Sequence, residues 1–250
     1  MISVKDNAGG VKFDELNLLI APGGSRNDPL AELIGVFGVG AKRAAIALAE
    51  NIEIRTRHEN GRTHELDITK QWIESDDWYL PAYEIPDISE RTTEIDLSYL
   101  RKPMSEADVD DLRVHIGNTY SWFIKQGCTI TLNGDPVAPI AFEIWAFPPG
   151  HEPRRMTYDV ELTDIGRINF DVTAGLIRDR DRERANYGVY FYCNQRLIVK
   201  ELKTREVGYF VTAEAGVPHP DSSLCRTIVI ILGLGPWKQR ETIRDSLRNS

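Results

Sequence analysis

The glycines of Gly35-Val-Phe-Gly38-Val-Gly40 stand directly ahead of the alanine-rich run Ala41-Lys-Arg-Ala-Ala-Ile-Ala-Leu-Ala-Glu50. Glycines that open a helix suit an anion, because backbone N–H groups can approach it closely and the helix N-terminus adds a favourable dipole. A tight loop that needs small residues only for packing reads the same way, so this segment alone leaves both readings open. Two familiar phosphate motifs fail on spacing. A Walker loop needs GxxxxGKS or GxxxxGKT, but Ala41-Lys42-Arg43 follows Gly40, which displaces the lysine and omits the hydroxyl. A dinucleotide fingerprint needs GxGxxG after a strand; here Arg43 takes the place of the third glycine, and residues 29–34 do not read as a strand.

Other residues carry chemistry of their own. Asp6 ends a short alternating run and precedes the turn Asn7-Ala-Gly-Gly10. A carboxylate there can accept from an exocyclic amine and so select adenine over guanine; it can equally close an Asx turn on the backbone at Ala8. Gly10 leaves room for a base or sugar against the main chain. Thr93 can hold adenine or a bridging water, or serve as a plain β-branched strand residue. Lys42, one turn into its helix, points to a phosphate or to solvent.

The elements that must position these residues follow from periodicity. Ile2-Ser-Val4 alternates as a strand and runs straight into the glycine turn, with nothing before it, which leads us to expect part of the fold upstream. Residues 13–20 have helical spacing. A breaker-rich loop follows over 21–29, then a helix over 41–50, a strand over 51–57, a turn at 58–62, a strand over 63–69 and another over 93–97. Pro103 marks a boundary. Beyond it, Ser105 with Asp108 starts a helix carrying Val109, Leu112, Ile116, Tyr120 and Phe123. Strands are expected over 129–132, 138–147, 156–162 and 168–172, then a hairpin with 189–192 and 197–199 around Cys193-Asn-Gln-Arg196, and a buried strand over 223–232. Residues 178–184 alternate charge and read as a solvated face. The class is α+β, in two domains, 1–103 and 104–250.

Composition bounds the function. The chain has 250 residues, 42% hydrophobic and 27% charged, with a net charge of -8. The sequence pI near 5.2 argues against a general nucleic-acid coat. Mean hydropathy is -0.33 and the longest apolar run, 227–235, is too short for a membrane helix. Cys128, Cys193 and Cys225 form no CxxC, and the five histidines form no HExxH, so neither a disulfide framework nor a protein-held metal is expected. The start lacks a secretory signal, and the chain reads as cytoplasmic.

Taken in order, Asp6-x-Ala8-x-Gly10, a loose glycine segment, Gly35-x-x-Gly38-x-Gly40 and Thr92-Thr93-Glu-Ile-Asp-Leu97 resemble the motifs of the GHKL ATPases: DxGxG, GxxGxG and GTxIxL. That superfamily includes gyrase, the ninety-kilodalton heat-shock chaperones, histidine kinases and MutL. The wording Ile34-Gly-Val-Phe-Gly-Val-Gly-Ala-Lys42 looks closest to the chaperone, MutL and Morc branches. Gly188-Val-Tyr-Phe-Tyr-Cys-Asn-Gln-Arg-Leu-Ile198 is similar to a transducer-domain hairpin of the same branches.

The resemblance implies a Bergerat-type α/β sandwich lacking its first helix, followed by a transducer-like α+β domain. It implies ATP as ligand, contacted by Asp6, Ala8, Gly10, Gly35, Gly38, Val39, Gly40 and Thr93. A lid over residues 21–34, with Gly23 and Gly24, would close on ATP and drive homodimerisation. Lys238 is the candidate γ-phosphate sensor, or a solvated lysine in a polar tail. Ala8 departs from the first glycine of DxGxG, and Thr92 from the glycine of GTxIxL. The family's general-base Glu and its magnesium-binding Asn lie on a helix before the DxGxG strand and correspond to no residue of this chain. The expected function is therefore ATP binding without hydrolysis, with Mg2+ required by the intact family but its ligand missing here. The alternatives are a non-catalytic scaffold whose glycine loops are structural relics, and a chaperone-like binder of protein clients; whether the partner is DNA or protein stays open.

Overall fold

A computed structural model describes residues 1–21, 23–24, 39–75, 79–142, 144–146, 149–162, 166–177, 186–209 and 223–232. The protein is α+β, and its chain divides into two compact units, the change falling between Met104 and Ser105.

The first unit is built on a sheet of five antiparallel strands, β1 (Ile2–Asp6), β2 (Ala49–Arg57), β3 (Thr63–Thr69), β4 (Tyr83–Ile85) and β5 (Thr92–Leu100), in the order β1-β5-β2-β3-β4. Alternation dictates its two faces. Ile52, Ile54, Leu66, Ile68 and Leu97 are buried on one side beneath helices α1 (Asn17–Ile20), α2 (Gly40–Leu48) and α3 (Lys70–Ile73). The opposite side carries ions: Lys5 Nζ lies 2.7 Å from Glu94, and Arg55 bridges Glu53, Glu94 and Asp96. Burial of Glu65, with Glu53 close by, raises its carboxyl pKa.

Helix α2 ends two residues before the expected limit. Ala49 is extended and fully buried as the first residue of β2, and the Leu48 carbonyl accepts the Arg101 N–H at 2.9 Å. The helix buries no residue completely, so alanine propensity supports it more than packing does. The helical run expected over 13–20 is broken into a 3₁₀ turn, Phe13–Glu15, and the four residues of α1. Helix α3, capped by Thr69, and the three-residue β4 carry no periodicity long enough to announce them.

In the second unit, Ser105 and Asp108 form a full capping box at the start of α4 (Glu106–Thr119), as their spacing predicts. The helical phase breaks at Tyr120, and α5 (Ser121–Lys125) follows. A hairpin of β6 (Thr131–Leu132) and β7 (Asp135–Pro136) turns on Asn133 and Gly134, at φ 54 and 87. The main sheet comprises β8 (Arg154–Leu162), β9 (Gly166–Leu176), β10 (Gly188–Cys193), β11 (Arg196–Leu202) and β12 (Cys225–Leu232), in the order β11-β10-β12-β9-β8. Only the β10–β12 pair is parallel. Strand β10 is buried on both faces. Val189 and Cys193 pack with Ile168, Val229 and Ile231, while Tyr190 and Tyr192 pack with Phe142, Leu197 and Ile228.

The strand expected over 138–147 does not form among its described residues. That segment passes so close to Gly117 that a Cβ there would sit 2.7 Å from the Ala138 carbonyl. Its backbone bonds go elsewhere: Ile140 N–H donates to Gly117 O and Ala146 N–H to Leu176 O. Residues 178–184 lie outside the described residues.

Candidate functional site

The first unit brings three of the singled-out elements to one end of its sheet. Asp6 is the last residue of β1 and pairs directly with Thr93 on β5, which pairs with Thr56 on β2, which in turn pairs with His64 on β3. Residues directly opposite in an antiparallel sheet share a face, so the four form one row across four strands. Asp6 is exposed at the edge of the row, and Thr93 is buried at 8% exposure. Thr56 is fully buried, with its hydroxyl 3.2 Å from that of Thr93.

The chain leaving β1 folds back over this row. Ala8 N–H donates to Asp6 Oδ1 at 2.9 Å, closing an Asx turn. Gly9 N–H donates to the Arg91 carbonyl, and Val11 N–H to Thr56 Oγ1 at 2.9 Å. Gly10 sits at φ 66, and a Cβ there would stand 2.1 Å from the Arg57 carbonyl oxygen. The space next to its α-carbon is thus occupied by the protein's own main chain, and glycine is required by this contact. Phe13 then packs against His64, ring centroids 4.8 Å apart and the rings tilted by 42°.

Arg57 secures the start of β5. Its guanidinium donates to Gly61 O at 3.0 Å and Ile88 O at 2.6 Å, and lies 3.4 Å from Asp87. Thr92 is buried at 2% exposure with its hydroxyl on the Glu90 carbonyl. The position at which the resemblance expects glycine therefore holds a side chain that fastens the strand entry.

Val39 is the N-cap of α2 and Gly40 its first residue, and the Val39 side chain makes no cap hydrogen bond. The N-terminus of a helix suits an anion. Lys42 is half-buried: its ammonium donates to Ala21 O at 2.6 Å and Gly24 O at 3.0 Å, and burial lowers its pKa. It ties the start of the expected lid to the helix. Gly23, at φ 75, and Gly24 lie in that tied turn. Gly35, Gly38 and Lys238 lie outside the described residues.

Thr56, His64 and Arg57 were not legible as site residues. Alternation over 51–57 places Ile52, Ile54 and Thr56 on one face, yet only the strand order makes Thr56 the neighbour of Thr93.

Asp6 keeps its second carboxylate oxygen as an acceptor beyond the Asx turn. Among the described residues no group of three or more His, Cys, Asp or Glu is arranged to hold a metal ion, and no helix is long and apolar enough to cross a membrane. No protein-family model and no curated protein sequence matches the chain.

Proposed function

We propose that this protein is an ATP-binding protein of GHKL type, with a Bergerat-like first unit and a transducer-like second unit. The observation that carries the reading is the pairing of Asp6 with Thr93. Two motifs far apart in sequence meet on adjacent strands, on the same face, with Asp6 exposed and Thr93 buried. Asp6 would accept from the adenine N6 amine; guanine offers a carbonyl oxygen there and would be repelled. The N-terminus of α2 would receive the phosphates. Lys42, which holds the Ala21 and Gly24 carbonyls, would couple that helix to the lid.

ATP hydrolysis needs a base to position water and a divalent ion to neutralise phosphate charge. The resemblance places neither role on a residue described above, and the function proposed is nucleotide binding with a conformational response. Lid closure on ATP would drive dimerisation, with DNA or a protein client as the object handled.

A second reading has its own observations. The Asx turn at Asp6 and the contact of Gly10 with Arg57 would serve a scaffold that binds no nucleotide, the glycine segments then being structural. Calorimetric titration with ATP, GTP and adenosine separates the two. The nucleotide reading expects ATP to bind more tightly than GTP, and it is abandoned for the scaffold if ATP and GTP bind equally or not at all.

A further inference from the structure

Among the described residues, strands β8 and β11 are the two edges of the five-stranded sheet in the second unit, and they are built differently. Strand β11 is blunted. Its pairing with β10 shifts register twice, Glu201 stands at φ 55, and Lys200 and Lys203 crowd that end. Irregularity and lysine on an edge both discourage a further strand from pairing. Strand β8 has neither. Its nine residues pair with β9 in an unbroken register and include no lysine, proline or glycine.

The strand also exposes apolar side chains that continue the core of its own sheet. Met156, Tyr158 and Val160 stand opposite Val172, Phe170 and Ile168 of β9. They are nevertheless 40%, 51% and 39% exposed. The other face of β8 carries Arg155, Thr157, Asp159 and Glu161.

The charge order along β8 is complementary to its own reverse. Directly opposed residues share a face, so an antiparallel pairing of the strand with a second copy must be centred on a residue. Centred on Tyr158, the pairing sets Arg155 against Glu161, Met156 against Val160 and Thr157 against Asp159, each twice, and uses the whole strand. Centred on Asp159, two carboxylates meet at the axis. Centred on Thr157, Arg155 meets Asp159, whose carboxylate is already held below its ordinary pKa by Arg167 and Asn169. The Tyr158 register leaves that cluster intact and adds Glu161 to Asp171, 3.5 Å away on its own sheet, as a partner of Arg155.

We propose that β8 is a homodimerisation edge, two copies pairing antiparallel about Tyr158 so that their five-stranded sheets join into one. The interface is isologous, and each contact occurs twice. It does not depend on nucleotide. A single strand pair with flanking side chains lies at the small, weak end of specific interfaces, so the dimer forms at about 10–100 µM of chain.

Sedimentation equilibrium on the full chain, wild type and variants, without nucleotide, tests this. Arg155→Glu sets Glu against Glu twice, and Glu161→Arg sets Arg against Arg twice. Each should raise the dimer dissociation constant at least about tenfold, from two reversed cross-strand pairs. Mixed in equal amounts, the two variants restore both opposite-charge pairs and should dimerise like wild type. Circular dichroism melts of each variant keep loss of pairing distinct from loss of fold. A wild type that stays monomeric throughout this range overturns the proposal. So do folded single variants that dimerise as wild type does, or a mixture that stays monomeric.

Discussion

Asp6 on β1 and Thr93 on β5 are direct cross-strand partners, although 87 positions separate them in the chain. The pairing makes one exposed carboxylate and one buried hydroxyl neighbours at a sheet edge, with Thr56 completing the hydroxyl pair behind them. If this is the adenine contact, its loss has a defined size. Asp6→Asn keeps the shape but replaces one acceptor oxygen with a donor. A hydrogen bond to a charged group contributes roughly 1.5–3 kcal/mol, so ATP affinity should fall by about one to two orders of magnitude. Titration of this variant beside wild type checks it; unchanged ATP affinity would remove Asp6 from the site.

Gly10 allows a prediction that does not involve ligand. Alanine there would have to hold φ 66 and place its methyl 2.1 Å from the Arg57 carbonyl oxygen. A left-handed non-glycine conformation and an overpacked contact together cost about 2–4 kcal/mol. Gly10→Ala should therefore shift the urea midpoint strongly downward, with the same loss in the presence and absence of ATP. A midpoint within error of wild type would mean that the chain after β1 does not lie against the end of β2.

Much of this fold is legible in the sequence wherever a pattern is local. Strands β2 and β3 alternate cleanly, and the capping box at Ser105 and Asp108 starts α4 where its spacing says. Legibility fails where the deciding contact is distant. Residues 138–146 have strand-like composition, but Gly117 admits their backbone at the end of α4, and sheet pairing is lost to that contact. The helix over 41–50 stops early because Ala49 fits a fully buried strand position, which no propensity scale contains. The candidate site shows the same division. Asp6, Gly10, Gly40 and Thr93 stand out by type and spacing, whereas Thr56 is a common strand residue until the order β1-β5-β2 sets it beside Thr93. Lys42 reads as a phosphate or solvent lysine and proves to be a clasp on two carbonyls, a role set by the path of a preceding turn.

Cys193 and Cys128 should differ sharply in reactivity. Cys193 is buried at 2% exposure, and burial pushes its thiol up to about 11, against an ordinary value of 9.0. The thiolate is the nucleophile, so at neutral pH native Cys193 should resist alkylation, while exposed Cys128 should be modified readily. Raising the pH toward that value should increase the Cys193 rate, and unfolding, which removes the burial, should increase it further. Iodoacetamide labelling followed by peptide mass spectrometry reads both sites; modification of native Cys193 as fast as Cys128 at neutral pH would contradict the burial of β10.

Arg226 is the buried cation on which the irregular segment of the second unit depends. It is 5% exposed, and its guanidinium donates to Asn186 O at 2.6 Å, Phe142 O at 2.6 Å and Ile144 O at 3.3 Å. It also lies over the rings of Phe142 and Tyr190, 5.7 and 5.4 Å from their centroids. A planar fork can serve carbonyls on both sides while stacking; an ammonium cannot. Arg226→Met fills similar volume but removes the donor from the buried Phe142 carbonyl and from the part-buried Asn186 carbonyl, and with a buried unsatisfied group costing about 1–3 kcal/mol a loss of about 2 kcal/mol or more is expected. Arg226→Lys keeps the charge and should recover only part of that loss. Because the acceptors sit at 142 and 144, the damage should be local first. Hydrogen exchange at residues 140–146 should speed up more than at β9 or β12, and fluorescence of Trp145, packed at the edge of the Tyr190 cluster, should shift to the red. If Arg226→Lys instead matches wild type in both denaturation and exchange, the segment is held by its side-chain packing and not by the guanidinium.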